Sequence, residues 1–520
     1  MRAQPVKAST KVDLDKFRLR KFLRTLAEIG EIERHDEPIA LGELSTVIEA
    51  SPKATHFSRV GPERFELVAA VSGSRRRLAA ALGVGERDIA HEFMRRMGEP
   101  QPVLEVPSDQ APVHQVIRRG DDIDLARLPF HVQHAMDGGC YISSGIDYSA
   151  DPATGKTNVG CRRLMLRGRD TMRSNLVDAS DLRNTYLGCV ERGERLPVSF
   201  AIGSHPLDYL AATCKVPVDE FGLVATLRGE PVPMVRGASN GVLAPADAEM
   251  IIEGYFDEQG YREQEGPYGE FYGFYGQVQV DPVFHVTAIC QRRDVLYQTV
   301  LHAGRYLSRT DSANLGSLHC EVAVWRALRA VKIEPVAVHA VPATNGRQHV
   351  RVAIRQTAPG QARAAINALF ALLPVKHAFI VDDDVDVFCN EEMEWAMASR
   401  FRADRDMIVA SGLPGFYADP NADAEHTVAK VGFDLTRPVG RPDTIDSRRA
   451  FARRLGDQPP RYQNARQALE SGPLYFAQIM DLVGSRDGRE VALELDELRE
   501  AGILGRLGNG EWTLKEAGKR

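Results

Sequence analysis

Apolar residues near the start of the chain recur with a helical period. Phe17, Phe22, Leu23, Leu26 and Ile29 fall on one stripe, and Gly30 follows as a helix stop. Residues 15–50 are therefore expected as helices. FELVAAVSG (65–73) reads as a strand and RDIAHEFMRRMG (87–98) as a helix, which makes residues 1–124 an α/β region. From about residue 124 the pattern changes to strand-like alternation. Residues 141–148 and 158–166 form two such runs around a turn-rich ADPATGKT, predicting an antiparallel hairpin. LPVSFAIGS (196–204) and VFHVTAICQRRDVLYQTV (283–300) add strands, so residues 125–316 are expected to be β-rich with helical insertions.

A third pattern begins at residue 317. The helix SLHCEVAVWRALRAV precedes the strands VAVHAVPA and VRVAIRQT, the helix QARAAINALFALL and the strand HAFIVDDDVDV. Strand, helix, strand at this spacing is an α/β unit, placed at 317–455. DQPPRYQNARQAL reads as a linker. Residues 474–518 read as two helices and a hairpin, so 456–520 is expected to be a linker with a small winged-helix-like module. The fold class is α+β and multidomain.

Composition narrows the function. The 65 Lys+Arg and 71 Asp+Glu leave a formal charge of −6 over 520 residues, with no basic excess for nucleic acid. The basic residues of the tail are interleaved with acids, which argues against DNA binding there. The seven cysteines are widely spaced and form no CxxC pair, as expected of reduced thiols in a cytoplasmic protein. The N-terminal stretch lacks the apolar core of a signal peptide, and no run is apolar enough to span a membrane. Walker, GxSxG, HExxH and strand-borne GxGxxG motifs are absent.

Four segments could carry chemistry. In EQEGPYGEFYGFYG (263–276), Glu265 and Glu270 flank a Gly-Pro-Tyr-Gly turn that can hold two carboxylates near one point. In TNVGCRRLML, Asn158 and Arg162 share a strand face and Arg163 takes the other, so one arginine must enter the domain and find an anionic partner. Asn158 and Glu220 are hard oxygen donors suited to Mn²⁺ or Mg²⁺. The acids of IVDDDVDV (380–387) could bind a metal but fit a capped strand end better. His131 and His134 lack a third ligand and read as structural.

Together these motifs resemble the UbiD-family decarboxylases, which use prenylated FMN. The matching pieces run in family order: DGG (137–139), DPATGKTNVGCRR (151–163), GERLPVSFAIGSHP (193–206), DEFGLVATLRGEP (219–231), AEMIIEGY (248–255), EGPYGEFYGFY (265–275), VDDDVD (381–386) and KVGFDLTRP (430–438). The resemblance implies a flavin-reductase-like split β-barrel between an N-terminal α/β domain and a C-terminal dimerisation domain. It assigns a Glu-Arg-Glu constellation to Arg163, Glu265 and Glu270. It assigns a Mn²⁺ that ties the flavin phosphate to Asn158 and Glu220, a phosphate contact to Lys430, and an accompanying K⁺. The third metal ligand, a histidine in relatives, is missing; Asp178 is the nearest replacement.

The wording around Arg163 looks more like the branch acting on furan-, pyrrole- or indole-carboxylates than the ubiquinone branch; hydroxybenzoates and acrylic acids are the alternative substrates. The implied reaction is reversible non-oxidative decarboxylation through a covalent adduct with prenylated FMN, CO₂ being the partner product and Glu270 the proton donor and acceptor. A decarboxylated aromatic ring leaves a carbanion that side chains cannot stabilise, so an electron-sink cofactor is required. His302, Arg305, Arg309 and Asn314 are expected to recognise a second polar group of the substrate. A separate flavin prenyltransferase would supply the cofactor, and a homodimer is expected.

Overall fold

The computed structural model describes residues 12–176, 180–216, 219–416, 418–439, 450, 452–453, 456 and 459–515, with the backbone of 6–7. The chain divides into two compact units, Met1–Thr436 and Arg437–Arg520.

At the centre of the larger unit six antiparallel strands close into a barrel. In barrel order they are Met250–Phe256, Leu196–Ile202, Tyr141–Ala150, Thr157–Leu166, Thr171–Ser174 and Val283–Gln291, which pairs back onto Met250–Phe256. Closure removes the exposed strand edges of an open sheet. Alternate residues fill the interior, where Phe200, Phe256 and Phe284 meet edge to face. The hairpin expected at 141–166 is there, with Tyr148 opposite Val159 and Ser149 opposite Asn158. The apolar run at 283–300 is not one strand. It breaks after Gln291, and Tyr297–Thr299 joins a different sheet beside Phe65–Ala69.

That second sheet runs Tyr297–Thr299, Phe65–Ala69, Ala54–Val60 and Ile32–His35. Only part of 15–50 is helical. The helix Leu19–Glu28 buries Leu19, Phe22, Leu23 and Leu26, one face of a 3.6-residue period. Gly30, at φ +73°, stops it in the left-handed conformation that glycine accepts without strain. Residues 32–35 then become a strand and Leu44–Ala50 a second helix.

The C-terminal sheet is mixed, in the order Pro335–Ala340, His349–Ile354, His377–Asp382, Thr427–Asp434, Met407–Pro414. The helix Asp311–Ala330 enters it, capped by Thr310, whose hydroxyl oxygen accepts the Ala313 N–H. The acids after His377–Asp382 serve ion pairs. Arg400 takes Asp382 and Asp384, and Arg355 takes Asp383.

In the smaller unit the helices Ala465–Glu470, Phe476–Val483 and Arg489–Glu500 and the hairpin Leu504–Arg506/Trp512–Leu514 surround their own apolar core. The expected linker thus contains a helix, started by the Asn464 side chain accepting the Gln467 N–H. Among the described residues no helix is long and apolar enough to cross a membrane.

Candidate active site

Arg163 lies near the end of the barrel strand Thr157–Leu166. Its Nε and Nη2 each donate to Glu265 at 2.8 Å, and its Nη1 donates to Glu270 at 2.6 Å. A planar guanidinium matches one carboxylate with two parallel bonds and still reaches a second. The two carboxylates hold Arg163 firmly in its charged form against burial. Its guanidinium also lies over the Tyr268 ring, 4.7 Å from the centroid.

The turn between the glutamates is fixed by the Asp-Gly-Gly segment. Asp137 accepts the N–H groups of Gln133, His134 and Gly269, and Gly138 N–H donates to the Pro267 carbonyl at 2.7 Å. A Cβ on Gly138 would stand 2.0 Å from the Gly266 oxygen, so only glycine allows this approach. Tyr268, buried under Arg163, donates its hydroxyl to Gln133. The glycine and aromatic density of 263–276 therefore builds a clamp for two carboxylates.

The clamp is asymmetric. The Glu265 side chain is 0% exposed and that of Glu270 is 22% exposed. Beside it opens a cavity of about 410 Å³ lined by Ser45, Thr46, Glu49, Gln133, His134, Ala135, the loop residues Gly269, Gly273, Phe274 and Tyr275, and Leu301, Ala303 and Gly304. Glu265 and His302 flank the buried Tyr268–Arg163 pair. His302 meets the Tyr268 ring edge-on at 6.0 Å and hydrogen-bonds Ser312 Oγ at 2.6 Å. Burial, with His134 and Arg163 adding, pushes its pKa down to about 4, so it is a neutral hydrogen-bonding group.

On the other face of the same strand Asn158 and Arg162 converge on Asp147, as residues four apart on a strand must. Asn158 Nδ2 donates to Asp147 Oδ2, and Arg162 Nε lies 3.1 Å from Oδ1. Glu220, the first residue of the helix Glu220–Arg228, accepts the Val159 N–H at 2.5 Å. Burial raises Asp147, and burial first, then Asp147 and Asp181, raises Glu220 to about 7. Two desolvated carboxylates that repel each other beside an amide oxygen form a donor set that fits a hard divalent cation. Asp178 lies outside the described residues.

Four expected site residues have partners outside the clamp. Lys430 sits inside the C-terminal sheet, its ammonium donating to the carbonyls of Phe370, Leu372 and Leu373. It closes the end of the helix Gln361–Phe370, where orphan carbonyls need donors. Asn314 turns its Nδ2 to the carbonyls of Ser308 and Thr310, holding the helix entrance. Arg309 stacks on Tyr306 at 4.2 Å, and the exposed Arg305 faces the same ring at 5.6 Å. Sequence reasoning missed Asp147, Tyr268 and Gln133. Asp147 could have been found, since it is a lone acid in an otherwise uncharged strand opposite Gly160.

The chain matches the family description 3-octaprenyl-4-hydroxybenzoate carboxy-lyase in two parts, the Rift-related domain over residues 104–305 and the C-terminal domain over 313–435. It is 32% identical over 428 residues to the anhydromevalonate phosphate decarboxylase of Methanosarcina mazei, covering 80% of this chain and 96% of the relative. Among solved structures it resembles the UbiD-class enzyme HmfF from Pelotomaculum thermopropionicum in complex with FMN. The identity is 31% and the TM-score 0.78, over 83% of this chain and 97% of that one. An evolved dimeric form of that enzyme in complex with prenylated FMN matches at 30% and TM-score 0.74, over 82% and 96%. The 3,4-dihydroxybenzoic acid decarboxylase of Klebsiella pneumoniae matches at 25% and 0.75, over 86% and 98%. With the barrel, the clamp and both family domains in place, the chain belongs to the UbiD family of carboxy-lyases.

Proposed function

We propose that this carboxy-lyase decarboxylates a planar unsaturated acid of the aromatic or heteroaromatic type, with furan-, pyrrole- and indole-carboxylates as first candidates. Asp147, Asn158 and Glu220 would hold a divalent ion of the Mn²⁺ type at the phosphate end of a prenylated FMN, with K⁺ nearby. When bound, that flavin supplies the electron sink for the carbanion that loss of CO₂ leaves behind.

The chain's own residues control the proton. One guanidinium faces two carboxyl groups, so a single proton on the pair leaves the cluster neutral. Glu265, sealed and held by two bonds, stays with Arg163. Glu270, held by one bond and open toward solvent, can carry that proton to the substrate carbon that has lost CO₂ and retrieve it in the reverse reaction. This difference in exposure is the observation that carries the reading.

A second reading comes from the relatives that decarboxylate anhydromevalonate phosphate. Such a substrate needs cationic groups for its phosphate. None of the described residues lining the cavity beside the clamp is Lys or Arg, and Glu49 puts an acid there. That favours an uncharged ring over a phosphorylated chain.

Co-expression with a flavin prenyltransferase, followed by an acid panel that includes both classes, tests the proposal. Turnover of a ring acid only after co-expression supports it. Turnover of the phosphorylated acyclic acid alone overturns the substrate class, and turnover by protein carrying no flavin overturns the reaction.

A further inference from the structure

On the outer face of the barrel, away from the clamp, three metal-ligating side chains converge. Glu253 comes from the strand Met250–Phe256, Cys290 from Val283–Gln291, and His114 from the short helical turn Pro112–His114. Ile251 pairs with Cys290 and Glu253 with Ala288, which puts Cys290 and Glu253 diagonally on one face. Cys290 Sγ is 3.2 Å from Glu253 Oε1, His114 Nε2 is 3.9 Å from the same oxygen, and all three atoms lie within 4.8 Å of one another. A tetrahedral ion with metal–ligand bonds of about 2.0–2.3 Å spaces its ligands about 3.3–3.8 Å apart. The trio needs only about 1 Å of side-chain movement to reach that spacing.

The imidazole is an independent pointer. The His114 side chain is 2% exposed, and its Nε2 makes no hydrogen bond among the described residues. Its Nδ1 meets Ser108 Oγ at 2.8 Å. A proton on Nδ1 donated to that serine leaves the Nε2 lone pair free and aimed at the cluster, the arrangement that orients histidine ligands. Glu253 is fixed by its surroundings too, accepting Ala238 N–H on Oε1 and Ser239 N–H and Oγ–H on Oε2. Nothing in the proposed reaction uses these residues.

We propose that His114, Glu253 and Cys290 supply three ligands of a site for a divalent ion of the zinc type. One thiolate, one carboxylate and a neutral imidazole around a 2+ ion sum to zero charge, so the occupied site can stay buried without a net desolvated charge. The Cys290 thiol gives its proton to solvent as the metal–sulfur bond forms. Sulfur and nitrogen donors set this site apart from the all-oxygen set at Asp147, Asn158 and Glu220. The ion would tie the 112–114 turn to two barrel strands.

The full-length holoenzyme, purified without chelator, is expected to carry about one equivalent of zinc per chain. Loaded with Co²⁺ instead, it should show a thiolate-to-cobalt charge-transfer band in the near ultraviolet. Cys290→Ser should abolish that band while leaving the oxygen-ligated ion in place. Ser108→Ala, which keeps every ligand but frees the imidazole, should weaken zinc binding about 10- to 100-fold. Cobalt-loaded wild type without the band overturns the proposal even if Cys290→Ser does not fold. A band that survives Cys290→Ser overturns it as well.

Discussion

Glu265 and Glu270 share one guanidinium, yet the chain treats them differently. The first is fully buried and takes two of the three bonds from Arg163. The second takes one and meets the solvent side. Glu270→Gln keeps a carbonyl oxygen for Nη1 but cannot shuttle a proton. Turnover is therefore expected to fall about 100- to 10,000-fold with flavin content unchanged, measured by product formation and by the flavin absorbance of the same sample. Retained turnover would assign the proton to another group. The pair was legible in sequence because both acids flank one turn. The burial difference was not, because it depends on how the folded chain packs around an arginine 102 positions before Glu265. The surroundings of Lys430 were hidden for the same reason. Its pattern says strand, and only the fold brings the carbonyls of 370–373 to its ammonium.

At the scale of elements, the clamp is a loop held by another loop. Gly138 packs its α-carbon against the Gly266 carbonyl, one residue from Glu265, where a Cβ would sit 2.0 Å away. Gly138→Ala must push that backbone aside. We expect about 1–3 kcal/mol of destabilisation in denaturant unfolding, and a fall in kcat beyond what the folded fraction explains. A variant with wild-type kcat would mean that the position of Glu265 tolerates movement. A second element contact is ionic. Arg228, at the end of the helix Glu220–Arg228, bonds Asp208 at 2.7 Å and Asp247 at 2.6 Å, all three buried. Arg228→Met strands two carboxylates out of water and should cost about 3–5 kcal/mol; Asp208→Asn on the same background should restore part of it. The barrel hairpin and the α/β order of the C-terminal sheet were readable from local period. The break after Gln291 is marked locally by the charged Arg292-Arg293-Asp294, but that Tyr297–Thr299 joins a different sheet was not readable, since only long-range pairing decides it.

For the large unit as a whole, burial of neutral histidines sets the response to acid. His205 and His319 are pushed down to about 3, and His302 and His349 to about 4, burial being the largest cause in each. An unfolded histidine titrates near about 6.5. Between the two values the unfolded chain takes up protons that the folded chain refuses. Each of these groups therefore contributes stability that is present above about pH 6.5 and is lost as pH falls toward its folded value. The buried carboxyls of Asp281 and Asp311, raised to about 7 and about 6, act in the opposite direction, so the overall pH profile does not isolate one histidine. His205 can be isolated. Its Nδ1 accepts the Leu207 N–H at 3.3 Å at the start of the helix Pro206–Ala212, a role open only to the neutral ring. Arg228 and Arg96 add to the cost of charging it. Asparagine at this position keeps a capping oxygen and does not titrate. Unfolding free energies of wild type and His205→Asn, measured from pH 7.5 to pH 5, should converge as the pH drops. The wild-type curve should fall faster by up to about 1.4 kcal/mol per pH unit once below about pH 6.5. Parallel curves would mean that His205 accepts a proton as readily in the folded protein as in the unfolded chain, and that the helix cap survives it.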